Sequence, residues 1–298
     1  MRWPTAPAAA SPSTLRRSVN DLGNIVAFEH VNTAIPDQQR ATAFYITGLG
    51  LTRDPYLMTG LDNMWANIGR SQFHLPTGQP QIVRGVIGLV VPELDALVQR
   101  LKRVEGTLAG TQFAFDIRDD YVDTISPWGN RIRCHAPDTR FGEITLGLAY
   151  VELAVPRGTS AGIGRFYRQV LGAVVDAAND TAHVCVGAQQ QLVFREQDAA
   201  LPEYDGNHIQ VYLADLAGPY AAFAQLGVAL RDVDPQQYRF DDIVDPDTGA
   251  TLYRLEHEIR GIDHPLYARP LVNRNPAQTN RNYVPGNDAL QGIAPGSK

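Results

Sequence analysis

The chain repeats itself, and that repeat constrains what it can fold into. "FYITGLG" at residues 44–50 recurs as "FYRQVLG" at 166–172, both F-Y-x-x-x-L-G. The segments ahead of them also match, "EHVNTAIP" (29–36) against "AYVELAVP" (149–156). Further on, "VIGLVVPELDALVQRL" (86–101) answers "HIQVYLADLAGPYAAFAQL" (208–226), and "DTISPWGNRI" (123–132) answers "DIVDPDTGATL" (242–252). Matches in the same order at similar offsets describe a duplication. Self-similarity at a long period is settled before any local reading.

Within each half the periodicity switches twice. The alternation over 26–35 predicts a strand, and the apolar spacing of Ala43, Phe44, Ile46 and Leu49 predicts a helix. Short strands near 50–57, 62–69 and 71–76 are punctuated by Gly60, Gly69, Arg70 and Gly78. The pattern then restarts, with a strand at 82–91, a helix at 92–104 and strands near 112–118, 120–126 and 130–136. Each half is two β-α-β-β-β units, and "APDTRFGEITLG" (136–147) joins the halves. The expected division is a flexible arm over 1–22, two-unit domains over 23–137 and 146–260, and an extended tail over 261–298. Both ends are rich in Pro and small or polar residues, which bury too little apolar surface to offset ordering entropy. The "PLYARPL" stretch after His264 is apolar enough to strap onto a neighbouring surface.

Net charge is -6 without a basic or acidic block, which argues against nucleic acid or an anionic membrane as partner. Cys134 and Cys185 form neither a metal-ligand spacing nor a disulfide framework, as suits a reducing cytoplasm. No apolar run approaches the ~18 residues of a membrane span. The N-terminus, with an early proline and no sustained apolar stretch, makes a poor secretion signal.

Four such units, with F-Y-x-x-x-L-G after the first strand of a pair and a P-x-G-N-like turn before the last, resemble the vicinal oxygen chelate superfamily. That group includes glyoxalase I, bleomycin-resistance proteins and extradiol dioxygenases, and the resemblance covers about residues 24–260. It implies an α+β fold in which the four units pair into two open, cup-shaped mixed β-sheets with helices outside. Enzyme members hold a divalent metal (Fe, Mn, Ni or Zn are the candidates here) on the first and last strands of each unit. Carried over by position, the first half offers His30, His74, Val86 and Arg133. The second offers Tyr150, Phe194, His208 and Tyr253, with Glu152 replacing Tyr150 if the insertion in "PRGTSAG" is ignored. Neither set is the histidine-plus-carboxylate group of a glyoxalase or extradiol dioxygenase.

Three readings of the first set follow. His30 and His74 could be metal ligands, with His135 as the third because it shares a strand face with Arg133. Against this, an arginine ~4 Å from the ion would repel it by roughly 4 kcal/mol per unit charge at a dielectric of about 20. They could instead be core histidines. Or they could join Arg133, with Trp65 and Asn67 lining the cup, to bind a small anionic or oxygen-rich organic molecule. In the second set, His208 with Tyr150 and Tyr253 could form an acid–base cluster or a hydrogen-bonded core network. "LEHE" (Glu256, His257, Glu258) is divided between faces by alternation and reads as a solvated edge, Asp119, Asp120 and Asp123 read as surface, and "DPDTG" reads as a turn.

Two functions stay open: a small-molecule-binding protein with an incomplete metal site, or a metal-dependent lyase, isomerase or ring-cleaving dioxygenase using His30 and His74. Four units in one chain could suffice as a monomer, and a homodimer through the tail is the alternative.

Overall fold

The structure, a computed structural model, describes residues 22–55 and 62–271 together with 275, 277 and 284. The N-terminal arm, residues 1–21, and most of the tail beyond Leu271 lie outside the described residues. Unit one comprises β1 (Ile25–Asn32), α1 (Gln38–Ala41, continued by a π-helical turn over Thr42–Gly48), β2 (Thr52–Arg53), β3 (Asn63–Ile68) and β4 (Ser71–Pro76). Unit two has β5 (Gly85–Val90), α2 (Leu94–Val104), β6 (Ala114–Ile117), β7 (Tyr121–Ile125) and β8 (Arg131–His135). Unit three has β9 (Gly147–Pro156), α3 (Ser160–Gln169), β10 (Val175–Ala178), β11 (Thr181–Gly187) and β12 (Gln190–Gln197). Unit four has β13 (His208–Leu213), α4 (Ala217–Leu226), β14 (Arg231–Asp234), β15 (Gln237–Val244) and β16 (Thr251–Gly261). No helix among the described residues is long and apolar enough to cross a membrane.

These strands form two eight-stranded mixed sheets, β14-β15-β16-β13-β1-β4-β3-β2 and β10-β11-β12-β9-β5-β8-β7-β6. The α+β expectation of two open sheets with outer helices is met. The cup assignments are not. Antiparallel pairing of β1 with β13 joins unit one to unit four, and pairing of β5 with β9 joins unit two to unit three. The sequence halves survive in the helical packing instead: α1 packs on α2, and Phe166 of α3 meets Phe223 and Phe240 of unit four.

Local chemistry sets these elements. Asp37 caps α1 by accepting from the Gln39 and Arg40 amides at 2.8 and 2.9 Å. The π-turn that follows, closed by Leu49 N–H on the Phe44 carbonyl at 2.8 Å, buries both Phe44 and Tyr45. One continuous core runs through all four units. The strands pack closely enough that Gly85 admits no side chain: a Cβ there would lie 1.8 Å from the Glu152 carbonyl oxygen.

Candidate metal centre

Asn32 organises the one–four cup. In the backbone ladders it is paired with His74 on one side and His208 on the other, and His30 stands two residues back on the same strand face. Three histidines from three strands therefore meet around one point, and one ring nitrogen of each lies within 4.8 Å of the others. The ring centroids of His74 and His208 are 5.7 and 5.8 Å from that of His30. Nε2 of each is buried; on His30 and His74 it has no hydrogen-bond partner, on His208 it faces only the Glu258 carboxylate beyond hydrogen-bond distance, and Oε1 of Gln210, the ladder partner of His30, is also unpaired.

Nδ1 of His30 and of His74 is held by a hydrogen bond. A bulge at Glu29 turns its side chain to the same face as His30, and the Glu29 carboxylate accepts from His30 Nδ1 at 3.3 Å. Glu29 also accepts from Tyr212 Oη at 3.0 Å and Arg260 Nη1 at 2.9 Å. The Asn32 Nδ2 amide donates to His74 Nδ1 at 2.5 Å. His208 lies between Glu256, 3.7 Å from Nδ1, and Glu258, 3.6 Å from Nε2. Glu258 also pairs with Arg260 at 2.5 Å and with Arg239.

Electrostatics keep the His30 and His74 rings neutral. Burial pushes His30 below the usual imidazole range, against the opposing pull of Glu29 and Glu258. His74 falls to about 2, first through burial and then through His30 and His208. Burial would raise Glu258, but His208, Arg260, His30 and Arg239 together hold it well below the carboxylate range. Neutral imidazoles beside an ionised carboxylate are a donor set for a divalent transition metal. The fit is supported by the orphaned nitrogens, each of which otherwise costs about 1–3 kcal/mol to bury unpaired.

Several expected residues are here. Trp65 stacks on His74, centroids 3.8 Å apart and planes 14° from parallel, and meets His30 edge-on at 4.8 Å. Asn67 accepts from Gln72 at 2.5 Å. Other residues are elsewhere. Arg133 lies in the two–three cup, its Nε and Nη2 bonded to the Asp123 carboxylate at 2.8 and 3.2 Å and its plane 4.4 Å from the Tyr121 ring centre. It cannot repel an ion held by His30. His135, in the same cup, meets Tyr150 Oη at 3.0 Å and Arg140 at 3.2 Å under the ring of Phe141. His208, Tyr150 and Tyr253 do not meet. Tyr150 belongs to the other sheet, and Tyr253 packs on the opposite face of β16 against Phe194 and beneath Arg84. Phe194 is also a core residue, set against Tyr167. Val86 stands on β5, in the two–three sheet.

The reading of "LEHE" as a solvated edge is corrected. Glu258 is buried beside His208, while His257, on the other face, is bonded to Tyr167 Oη at 2.6 Å. Asp123 is likewise no surface residue, its side chain being largely covered in its pair with Arg133. The signal for Glu258 was register. His74 lies two residues beyond Gln72, the ladder partner of His30, and Glu258 lies two beyond Glu256, the partner of His208. Counting from the glycine of the turn picks Tyr253 instead, because the β15–β16 ladder carries two irregularities between that turn and the cup.

No family model matches the sequence, and no curated protein matches it. Solved structures do. A candidate dioxygenase from Bacillus subtilis subsp. subtilis str. 168 is 15% identical with a TM-score of 0.56, over 87% of this chain and 89% of that one. Glyoxalase I from Zea mays is 13% identical with a TM-score of 0.50, over 78% and 92%. A glutamate-to-glutamine mutant of that maize enzyme gives 12% and 0.52, over 78% and 93%. With two cups built from four β-α-β-β-β units in one polypeptide, the chain has the fold of the vicinal oxygen chelate superfamily.

Proposed function

We propose that the one–four cup is a divalent-metal site, with His30, His74 and His208 as ligands and Glu258 beside them, and that the protein acts on a small oxygen-rich organic molecule. The observation carrying this reading is the convergence of one ring nitrogen from each of three histidines within 4.8 Å, with Nε2 of His30 and His74 buried and unpartnered and Nε2 of His208 facing Glu258. A metal-poor cup followed from Val86 and Arg133 as the companions of His30 and His74, and the sheet pairing supplies His208 and Glu258 in their place.

A divalent ion held there supplies Lewis acidity to substrate oxygens. The chain's own residues do the remainder. Glu29 and Asn32 orient two of the imidazoles, as outer carboxylates and amides do around metal ligands. Trp65 forms an apolar wall, and Arg260 balances the charge of Glu29 and Glu258. The class supported is a lyase or isomerase of the glyoxalase kind or a ring-cleaving dioxygenase.

Elemental analysis after purification without chelator, followed by reconstitution with Fe, Mn, Ni and Zn, tests the reading. One equivalent of metal is expected in the parent protein and none in His30→Ala/His74→Ala. A parent protein that takes up no metal would end it.

A further inference from the structure

The one–four cup is closed from above by the chain's own C-terminal strap. After Gly261 the described polypeptide adds no further strand. It turns through local bonds, His264 N–H to the Gly261 carbonyl at 3.0 Å and Tyr267 N–H to that of His264 at 2.9 Å. Ala268, at φ 51°, bends it back toward the cup. Its contacts there involve side chains and two strap backbone groups, one of them Ile262 N–H on the Leu213 carbonyl at 3.1 Å. Tyr267 packs on Tyr212, centroids 5.0 Å apart. Arg269 donates to Asp54 at 2.8 Å and to Gln72 at 3.2 Å. Asn67 donates to the Leu271 carbonyl at 3.3 Å. Tyr212 bonds Glu29, and Gln72 is the ladder partner of His30, so the strap packs on residues that adjoin the histidine cluster.

With the strap in place most of the site is covered: His30 is 0%, Glu258 2%, Trp65 8% and His208 9% exposed, and His74 is half-buried. For an organic molecule to reach His30 and His208, which are buried, a wall of the cup has to move. The sheet walls are hydrogen-bonded ladders, whereas beyond Ile262, whose N–H bonds the Leu213 carbonyl at 3.1 Å, the strap pairs with no strand, and elements outside a ladder open at lower cost. Its main link, Arg269 with Asp54, is an ion pair with both side chains almost fully buried. The Coulomb gain of such a pair is largely offset by the hydration its charges lost. Released into water, they recover that hydration.

We infer that Ile262–Leu271 is a releasable lid over the His30/His74/His208 cup and that the Arg269–Asp54 ion pair is its latch. The inference rests on the cup being the working site. Lid opening exposes Trp65, which makes Trp65 its reporter whether or not metal is bound.

Acrylamide quenching of a protein carrying Trp3→Phe and Trp128→Phe tests this, since Trp65 is then the remaining tryptophan. Asp54→Asn is expected to raise the quenching constant by about threefold or more through a larger open population. A second variant guards against misfolding: Asn67→Cys with Leu271→Cys, oxidised, is expected to drop quenching below that of the parent, with reduction restoring it. Unchanged quenching in the oxidised pair, with circular dichroism reporting a native fold, overturns the lid. Cobalt binding measured on the same samples keeps the two readings apart. Staple-sensitive quenching without cobalt uptake supports the lid and ends the metal reading; cobalt uptake with staple-insensitive quenching overturns the lid alone.

Discussion

His30 and His208 face each other across the β1–β13 seam, ring centroids 5.8 Å apart, although one comes from each half of the duplicated chain. Neither can form a site without the other's unit. His208→Ala is therefore expected to lose stoichiometric metal as completely as His30→Ala, while His135→Ala in the other cup retains it. Metal content after reconstitution measures this, and retention in His208→Ala would dismantle the proposed ligand set.

Metal should stabilise the fold, because the ligands converge only in the folded chain. At a free metal concentration of one hundred times Kd, unfolding should become harder by about 2.7 kcal/mol. Urea titrations with and without metal read the difference, and His30→Ala/His74→Ala should show none.

Glu29 holds both His30 and Arg260. Glu29→Gln keeps the size and an acceptor but loses the charge, and is expected to weaken metal affinity by about tenfold. Glu29→Ala removes an acceptor from a buried guanidinium and should also cost about 3 kcal/mol of stability. Competition with a chelator and chemical denaturation separate the two effects. An affinity unchanged in Glu29→Gln would show that His30 is oriented by something else.

The two–three cup should contribute to acid sensitivity. His135 is pushed down to about 4, first by burial and then by Arg140 and Arg133. Between that value and the ordinary imidazole range the unfolded chain binds the proton and the folded chain does not. Stability should thus fall as pH drops from about 6.5 toward 4, by about 3 kcal/mol for this group. Denaturation at pH 7 and pH 4 should give His135→Gln a smaller loss than the parent; equal losses would contradict the assignment.

Gly85→Ala probes the seam between units two and three. The added methyl meets the Glu152 carbonyl on β9, so β5 must shift, at a cost of about 1–3 kcal/mol. A melting temperature equal to that of the parent would mean the strands can part there freely.

Much of this protein was legible from residue order alone. F-Y-x-x-x-L-G marks the helix that backs a first strand, because two aromatics buried one after another need a tightly placed turn. Alternation placed His30, His74, Trp65 and Asn67 on strands, and these four lie in one cup. It also divided Glu256 and Glu258 from His257 correctly. The error lay in taking the run to be exposed, since burial depends on what covers a strand.

The sequence by itself determined four β-α-β-β-β units, their strands and their helices, because periodicity and turn residues act over short distances. Only the tertiary structure decided which units share a sheet. The connections at 77–84, 136–146 and 198–207 are all short, so chain length does not choose between pairing within halves and pairing across them. That choice is made by the edges of β1, β5, β9 and β13, whose backbone groups must be paired wherever they are buried. It sent Arg133 and Tyr150 to one cup and brought His208 and Glu258 to His30 in the other.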